Sequence, residues 1–331
     1  MSTQQTHTQD KMNKPLISFI ITYYNLPLDY LKECIDSILA LSLSSEEREI
    51  ILVDDGSDTS PINELKAYCD QIIYLRQTNQ GLSVARNTGI SIAKGDFIQF
   101  VDGDDYLNRS AYEHCLDIVR FNDVDVVLFQ SSHRVGNNQQ TVFNDSPKPM
   151  TGTEYMRNNN LRVAAWGYLF CRTLLMSLRF TPDTLHEDEE FTPQLFLRAE
   201  KIIETSAVAY FYRKRDNSII HNKDKKWIIK RLSDTENIIY KLSLLADRSP
   251  EKDRSALQRR VAQLTMDYLY NTIVLTKSEV HLNKAIEKLH QKGLFPLPDK
   301  NYTKKYVWFR RLLNNATGRK LLLRILPLKR R

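Results

Sequence analysis

IILVDDGS, residues 50–57, is a short apolar run that ends abruptly in acidic and turn-forming residues. ISFIITYYN at 17–25 and FIQFVDGDD at 97–105 repeat this pattern. Nearly continuous apolar runs are typical of strands that are buried on both faces of a sheet. Between the runs, apolar residues such as Leu31 and Ile35 recur at helical spacing. The alternation predicts an α/β fold with a mostly parallel central sheet and helices on both faces.

This α/β pattern continues to about residue 221 and then changes. From Lys225 onward, apolar residues keep to spacings of three and four, which predicts a helical region. The chain therefore divides into a disordered start at 1–14, an α/β domain at 15–221 and a helical region at 222–331.

The composition is that of a globular chain. Of the 331 residues, 42% are hydrophobic and 26% are charged, which excludes disorder as the main state. No run of 18 apolar residues occurs, and the polar opening MSTQQTHTQDKMNK lacks the apolar part of a secretory signal. We therefore expect a cytoplasmic protein. The four cysteines are too widely spaced for a CxxC metal site or a dense disulfide framework.

Charge is distributed unevenly along the chain. Residues 1–221 have a net charge of −9 and residues 222–331 one of +16. An acidic body favours bound cations, whereas a basic segment favours an anionic partner such as a membrane surface or a nucleic acid.

Polar residues follow three of the predicted strands. Because ligands of open parallel sheets bind beyond the carboxyl ends of the strands, these residues are candidates for a binding site. Carboxylates gathered at one edge repel each other unless a cation holds them, which favours Mg²⁺ or Mn²⁺. The alternative is that they only form turns. The residues are Thr22, Tyr23, Tyr24 and Asn25, then Asp54 and Asp55, then Asp102, Asp104 and Asp105.

Four motifs in this order, ISFIITYYN, VDDGSDTS, NQGLSVARNTGI and FVDGDDYL, resemble those of the family-2 glycosyltransferases with the GT-A fold. The resemblance covers about residues 15–221. It implies a nucleotide-binding half at 15–107 and an acceptor half at 108–221. It also implies an inverting, metal-dependent transfer of a sugar from a nucleotide-sugar donor to a hydroxyl of a glycan or lipid-linked glycan, in the synthesis of a bacterial capsule, lipopolysaccharide or exopolysaccharide.

The resemblance assigns roles to single residues. Asp55 would accept the uracil N3–H and so favour a UDP donor. Asp104, together with Asp102, would hold Mn²⁺ or Mg²⁺, with Asp105 behind them. Gly103 stands where the family often has serine. The nucleotide-binding residues would be Thr22, Tyr24, Asp55, Asn79, Arg86 and Asp102.

The general base is predicted within HEDEEF, residues 186–191. This motif resembles a Glu-Asp motif of the family in which the aspartate is the base, which makes Asp188 the catalytic candidate. The alternative is that the four acidic residues only complement the N-terminus of a helix.

Further residues are candidates for contact with the acceptor or the leaving diphosphate. Trp166 offers an aromatic face for a sugar or is a core residue. The arginines near residue 213 would clamp a diphosphate or lie on a solvated strand. The full set is Trp166, Glu187, Arg213, Arg215 and His221.

The last part of the chain interleaves cations with apolar residues. KKYVWFRR at 304–311 alternates cations with aromatic residues, and residues 318–331 contain six cations, no acidic residue and several leucines. This composition predicts binding to an anionic membrane surface, at the inner face of the cell membrane. The alternatives are a packed helix face or a surface for a protein partner. RNA is disfavoured because the body is acidic. The sequence leaves open whether the chain forms a homo-oligomer.

Two other functions compete with glycosyl transfer. A sugar-nucleotide nucleotidyltransferase would share the α/β plan but should carry a glycine-rich phosphate loop after its first strand, where this chain has TYYN. A catalytically silent glycan- or partner-binding protein should lack the carboxylates, which are present here.

Overall fold

The structure is a computed structural model that describes residues 14–133, 143, 148–214 and 224–327. The chain falls into two compact units, one formed by residues 1–155 and 162–216 and the other by residues 156–161 and 217–331. The start of the chain that was predicted to be disordered lies, up to residue 13, outside the described residues. The predicted domain boundary near residue 221 stays a prediction.

Within the described residues, one eight-stranded sheet forms the centre of the first unit, in the order β3-β2-β1-β4-β7-β6-β8-β5. The nearly continuous apolar runs at 17–23 and 48–54 become its most buried strands, as expected for strands covered on both faces. The strands are β1 Ile17–Tyr23, β2 Arg48–Asp54, β3 Ile73–Arg76, β4 Phe97–Asp102, β5 Tyr106–Leu107, β6 Val126–Ser132, β7 Tyr168–Cys171 and β8 Ile202–Phe211.

The sheet is mostly parallel, as predicted, but it contains a reversal. Pairing is parallel across β3, β2, β1 and β4, and again between β6 and β8. Strand β7 runs antiparallel to both β4 and β6, and β5 runs antiparallel to β8. The sequence pattern did not predict β7, since YLFC is too short to show a period of two.

Helices follow the strands as the apolar spacing predicts. In the first helix, α1 (Leu28–Leu39), the buried residues lie on one face: Leu31, Cys34, Ile35 and Ile38. Ser60 accepts a hydrogen bond from the amide of Ile62 and so caps the 3₁₀ helix Pro61–Tyr68. The α-helices are α1 Leu28–Leu39, α2 Leu82–Ile92, α3 Arg109–Phe121, α4 Gly152–Asn158, α5 Asp188–Phe196, α6 Lys225–Arg248, α7 Glu251–Thr276, α8 Glu279–Gln291, α9 Lys304–Leu313 and α10 Ala316–Ile325.

Helices α6 to α10 belong to the second unit, which confirms the predicted helical C-terminal region. Its buried residues include Leu269, Ile273 and Leu289 from α7 and α8, and Tyr306 and Phe309 from α9. None of the helices in the described ranges is both long and apolar enough to cross a membrane.

Candidate active site

Strand register brings the predicted binding residues to one edge of the sheet. Thr22 at the end of β1 pairs with Asp102 at the end of β4, and Tyr23 pairs with Asp54 at the end of β2. Thr22 is buried, whereas Tyr24 just beyond the strand is 48% exposed. The carboxyl ends of β2, β1 and β4 therefore lie side by side, as the parallel sheet requires.

Asp55 lies in the turn after β2, and its carboxylate is already held by three N–H donors. The side chain of Gln77 and the backbone amides of Gln80 and Gly81 donate to it over 2.7, 2.9 and 2.8 Å. The side chain of Asn79 donates to the Asp55 carbonyl at 3.0 Å. Asp55 thus fixes the loop that leads into α2, and its role toward uracil stays a prediction.

Gly56 in the same turn is required by geometry. Its φ is +75°, and a Cβ atom at this position would lie 2.6 Å from the backbone nitrogen of Asn79. Only glycine adopts this conformation without strain and without displacing the neighbouring loop.

The turn after β4 carries the acidic residues of VDGDD. It is closed by bonds from the amide of Gly103 to the Thr22 carbonyl, at 3.0 Å, and from the amide of Asp105 to the Asp102 carbonyl, at 2.9 Å. Tyr210 on β8 braces the turn, since its hydroxyl donates to the Asp105 carboxylate at 2.8 Å and accepts from the Asp102 amide at 3.1 Å. A Cβ atom on Gly103 would lie 2.8 Å from the Thr22 carbonyl oxygen, so the serine that is usual in the family would require the turn to move.

Negative charge is concentrated in this turn. Burial, followed by the charges of Asp102 and Asp104, raises the pKa of Asp105 to about 8, although the Arg213 amide and the Tyr210 hydroxyl act in the opposite direction. The raised pKa thus reflects first the burial of the Asp105 carboxyl group and second the negative charges of Asp102 and Asp104 beside it.

Asp102 and Asp104 are the residues of this turn that could hold a divalent cation. No group of three or more acidic, histidine or cysteine side chains is arranged as a metal site in the part of the chain that the structure describes. Asp102 and Asp104 provide hard oxygen donors, which Mg²⁺ and Mn²⁺ prefer. Mg²⁺ commonly binds through one or two carboxylates plus the phosphates of a substrate, so a complete protein cage is not needed.

Arg86 on α2 joins the turn after β4 to the start of α5. Its guanidinium donates to Glu187 at 2.5 Å and to Asp102 at 3.2 Å, and it lies 5.3 Å from the centre of the Phe180 ring. Burial lowers the pKa of Arg86, but the charges of Glu187, Asp102 and Asp188 outweigh burial, and the pKa is raised. Arg86 is 3% exposed and its guanidinium bonds to two carboxylates, and its role near the nucleotide stays a prediction.

Asp188, the predicted base, is the first residue of α5 and is half-buried. It follows Glu187 directly, and its negative charge is one of those that raise the pKa of Arg86. The Arg86–Glu187 ion pair therefore fixes the position of the helix start that carries Asp188. Glu187 itself is 8% exposed and is occupied by this ion pair.

Trp166 lies against the end of β8 rather than in open solvent. It is half-buried, and its ring stacks on Tyr210 at 4.4 Å between centroids and on Tyr212 at 5.6 Å. Because Tyr210 bonds to Asp105, the indole is one aromatic ring away from the acidic turn. This position is compatible with both interpretations, a sugar platform and a core residue.

Arg213 donates hydrogen bonds to the acidic turn after β4. Its backbone amide donates to Asp105 and its Nε to the Asp104 carbonyl, both at 2.8 Å. Its guanidinium pairs with Glu33 and lies 4.1 Å from the centre of the Tyr30 ring. These contacts engage the side chain within the protein. The other two candidates of this group, Arg215 and His221, lie outside the described residues.

Tyr210 is the residue of this site that the sequence did not single out. It lies 108 residues after Asp102, in a strand without a local motif, and only strand pairing brings the two together. Gln77 and Gln80 were also missed, although Gln80 lies within the NQGLSVARNTGI motif and Gln77 lies just before it, which was a usable signal.

Comparisons with known proteins bear on the family and the fold of this chain. The family model described as Glycosyl transferase family 2 matches residues 18–177. Among curated relatives, the uncharacterised glycosyltransferase EpsJ of Bacillus subtilis is 34% identical over 62% of this chain and 63% of its own length. The poly(ribitol-phosphate) beta-glucosyltransferase of Bacillus spizizenii is 32% identical over 60% of this chain and 32% of its own length. The chain thus spans less than two thirds of the length of these relatives.

Solved structures share the fold. TarS 1-349 from S. aureus, in complex with UDP-GlcNAc, superposes with a TM-score of 0.71 at 19% identity, covering 95% of this chain and 91% of its own. The mannosyltransferase PcManGT from Pyrobaculum calidifontis, in complex with GDP-Man and Mn²⁺, gives a TM-score of 0.56 at 16% identity over 95% of this chain and 87% of its own. At these identities the likeness concerns the fold alone, and it confirms the predicted GT-A architecture.

Proposed function

We propose a specific transfer reaction for this chain, which belongs to family 2 of the glycosyltransferases, a family of enzymes. The chain moves a sugar from a nucleotide-sugar to a hydroxyl of a glycan or lipid-linked glycan, with inversion at the anomeric carbon. One observation supports this most: the ends of β1, β2 and β4 gather polar residues at one edge, and Arg86 ties this edge to the helix that carries Asp188.

The donor in this proposal is a UDP-sugar. Thr22, Tyr24, Asp55 and Asn79 border the nucleotide at the ends of β1 and β2. Three donors hold the Asp55 carboxylate, but a carboxylate offers about four acceptor positions, so one more N–H, such as that of uracil, can be accepted. TarS was solved with UDP-GlcNAc and PcManGT with GDP-Man, so the fold accommodates both nucleotides.

The cation in this proposal is Mn²⁺ or Mg²⁺, held by Asp104 and Asp102 together with the donor phosphates. When bound, it neutralises the charge that develops on the leaving diphosphate. The concentration of negative charge around Asp105 supports this assignment, and so does the Mn²⁺ in the PcManGT complex.

The acceptor hydroxyl is deprotonated by Asp188. As its oxygen bonds to the anomeric carbon, its proton passes to the Asp188 carboxylate, and the bond from the anomeric carbon to the phosphate oxygen breaks on the opposite face. Arg86 and Glu187 act as positioning residues, because their ion pair holds the start of α5. Trp166 contributes an aromatic surface for the acceptor sugar.

The pathway in this proposal is the synthesis of a cell-surface polysaccharide. The poly(ribitol-phosphate) beta-glucosyltransferase among the relatives supports this class of acceptor. The enzyme then works in the cytoplasm, peripheral to the inner face of the membrane, where lipid-linked acceptors are found.

A donor screen tests the proposal. UDP- and GDP-sugars are added with Mn²⁺, and the thermal unfolding of the full chain is followed. A donor at a hundred times its Kd should stabilise the protein by about 2.7 kcal/mol, and the same donor should release nucleoside diphosphate with a glycan acceptor. Stabilisation without transfer to any acceptor would favour the silent binding protein. No stabilisation by any nucleotide-sugar would contradict the proposal.

A further inference from the structure

An open cavity of about 550 Å³ lies along α9 in the second unit, whereas the candidate active site belongs to the first unit. Its lining combines two cations with an indole and two aliphatic side chains. The lining residues are Asn301, Thr303, Lys304, Val307, Trp308, Arg311 and Leu312. A surface of this kind offers both charge and apolar area to a ligand.

Helix α9 divides its four cations between two uses. Arg310 pairs with Asp299, and Lys305 pairs with Asp267 at 3.7 Å, so these two are neutralised within their own unit. Lys304 and Arg311 are exposed and line the cavity, and no acidic side chain of the described ranges forms an ion pair with either. The cavity therefore presents two uncompensated positive charges.

Apolar side chains are exposed between these cations. Trp308 lies one helical turn from both Lys304 and Arg311 and is 46% exposed, and on α10 Leu321 is 44% exposed between the exposed cations Lys320 and Arg324. Residues 300–331 contain eleven lysine and arginine residues and no acidic residue. Positive charge and exposed apolar side chains therefore coincide on α9 and α10.

We propose that the face formed by Lys304, Trp308 and Arg311 binds the phosphate headgroups of anionic lipids in a membrane surface. Charge complementarity identifies the occupant: cations near such a surface contribute about 1 kcal/mol each, and tryptophan prefers the boundary between headgroups and acyl chains. A second copy of this chain would bring the same positive face against itself and be repelled. This inference is independent of the transfer reaction, because binding requires no turnover.

Point variants are the suitable test, because α9 also buries Tyr306, Phe309 and Leu313, and deletion of the helix would remove part of the core of its unit. The double variant Lys304→Gln/Arg311→Gln changes only exposed groups. Its matched control is Lys252→Gln/Lys284→Gln, which removes the same charge from exposed positions on α7 and α8 outside the cavity.

Both variants and the unmodified chain are sedimented with vesicles of phosphatidylglycerol and phosphatidylcholine. The cavity variant should bind roughly thirtyfold more weakly, from about 1 kcal/mol for each cation, and the control should bind nearly as the unmodified chain does. Binding should fall as salt rises, since charges are screened beyond about 8 Å at physiological ionic strength. Equal weakening in both variants would overturn the proposal.

A second measurement tests whether the Trp308 indole lies close to the lipids. Brominated lipids quench tryptophan fluorescence only at close range, so the quenching seen for the full chain should be largely lost in Trp308→Phe, while the unbound variant unfolds at the same temperature. Unchanged quenching would overturn the site. Inorganic phosphate and chloride are then compared at equal ionic strength. If phosphate releases more protein from the vesicles than chloride does, the face binds free phosphate, and the lipid site is overturned. Tighter binding to an RNA oligonucleotide than to vesicles would also overturn a lipid site. So would the finding that the unmodified chain forms dimers and the Trp308→Phe variant does not.

Discussion

The turns after β2 and after β4 contain nearly the same letters, VDDGS and VDGDD, yet the surroundings of their carboxylates differ. In the first turn, the carboxylates of Asp54 and Asp55 accept hydrogen bonds from Ser57, Tyr74, Gln77, Gln80 and Gly81. In the second turn, Asp105 accepts from the Tyr210 hydroxyl and the Arg213 amide, and Asp102 accepts from Arg86. Burial, followed by the charges of Asp102 and Asp104, nevertheless raises the pKa of Asp105 to about 8.

The difference separates two uses of aspartate at a strand end. A carboxylate surrounded by N–H groups organises a loop and stabilises its fold. Carboxylates crowded against one another cost free energy, and a bound cation relieves that cost. Mutation of the first turn should therefore lower stability in addition to any effect on the donor, whereas mutation of the second should act mainly on activity.

The largest effect is expected from Asp104→Ala in the second turn. Transfer should fall on the order of a thousandfold or more, because a bound cation supplies several kcal/mol of charge stabilisation. Calorimetry should show that UDP binding no longer depends on Mn²⁺. The matched control is Asp96→Ala, an exposed aspartate just before β4, which should remain active. Full activity of Asp104→Ala, or of the unmodified enzyme in excess EDTA, would refute the metal assignment.

Asp188→Asn tests the start of α5, which Arg86 links to the second turn. The amide keeps the shape of the side chain but cannot take a proton, so transfer should fall about 10²–10⁴-fold while the donor still binds. Single-turnover rates and donor titrations separate the two effects. Glu189→Gln is the control on the same helix, and a larger loss in this control would move the base.

Asp55→Asn examines the first turn. The amide replaces one accepting oxygen by an NH₂ group that faces N–H donors, so at least one charge-assisted hydrogen bond is lost. The free energy of unfolding should drop by about 1.5–3 kcal/mol in denaturant titrations. Asp58→Asn, whose exposed carboxylate accepts from the Asn25 side chain, should cost much less. An unchanged stability of Asp55→Asn would remove the distinction between the two turns.

Gly103→Ala should have the smallest effect of the four. The added Cβ atom meets the Thr22 carbonyl oxygen at 2.8 Å, and overpacking of this kind typically costs about 1–3 kcal/mol. Gly167→Ala is the control, since its Cβ atom would meet a neighbour only at 3.9 Å. Thermal unfolding of both variants measures the difference, and equal melting temperatures would show that the second turn yields without strain.

Much of the architecture was predictable from the sequence. The apolar runs predicted strands β1, β2 and β4, and the polar residues after them predicted which edge of the sheet would gather carboxylates. These features are local, because burial on both faces demands an unbroken apolar run and a turn demands its own residue types. The helical region after residue 224 was equally predictable, from apolar residues at spacings of three and four.

Only the tertiary structure decided how these groups engage one another. The fold pairs Arg86 with Glu187, 101 residues later, and with Asp102, and the motif around Arg86 did not indicate either partner. Tyr210 and strand β7 were not predicted at all. Contacts over such separations depend on long-range packing, and a local motif or period does not show which distant residue will be the partner. The sequence thus determined the elements and their polar ends, and long-range packing decided which carboxylate is bonded, which is clamped and which is crowded.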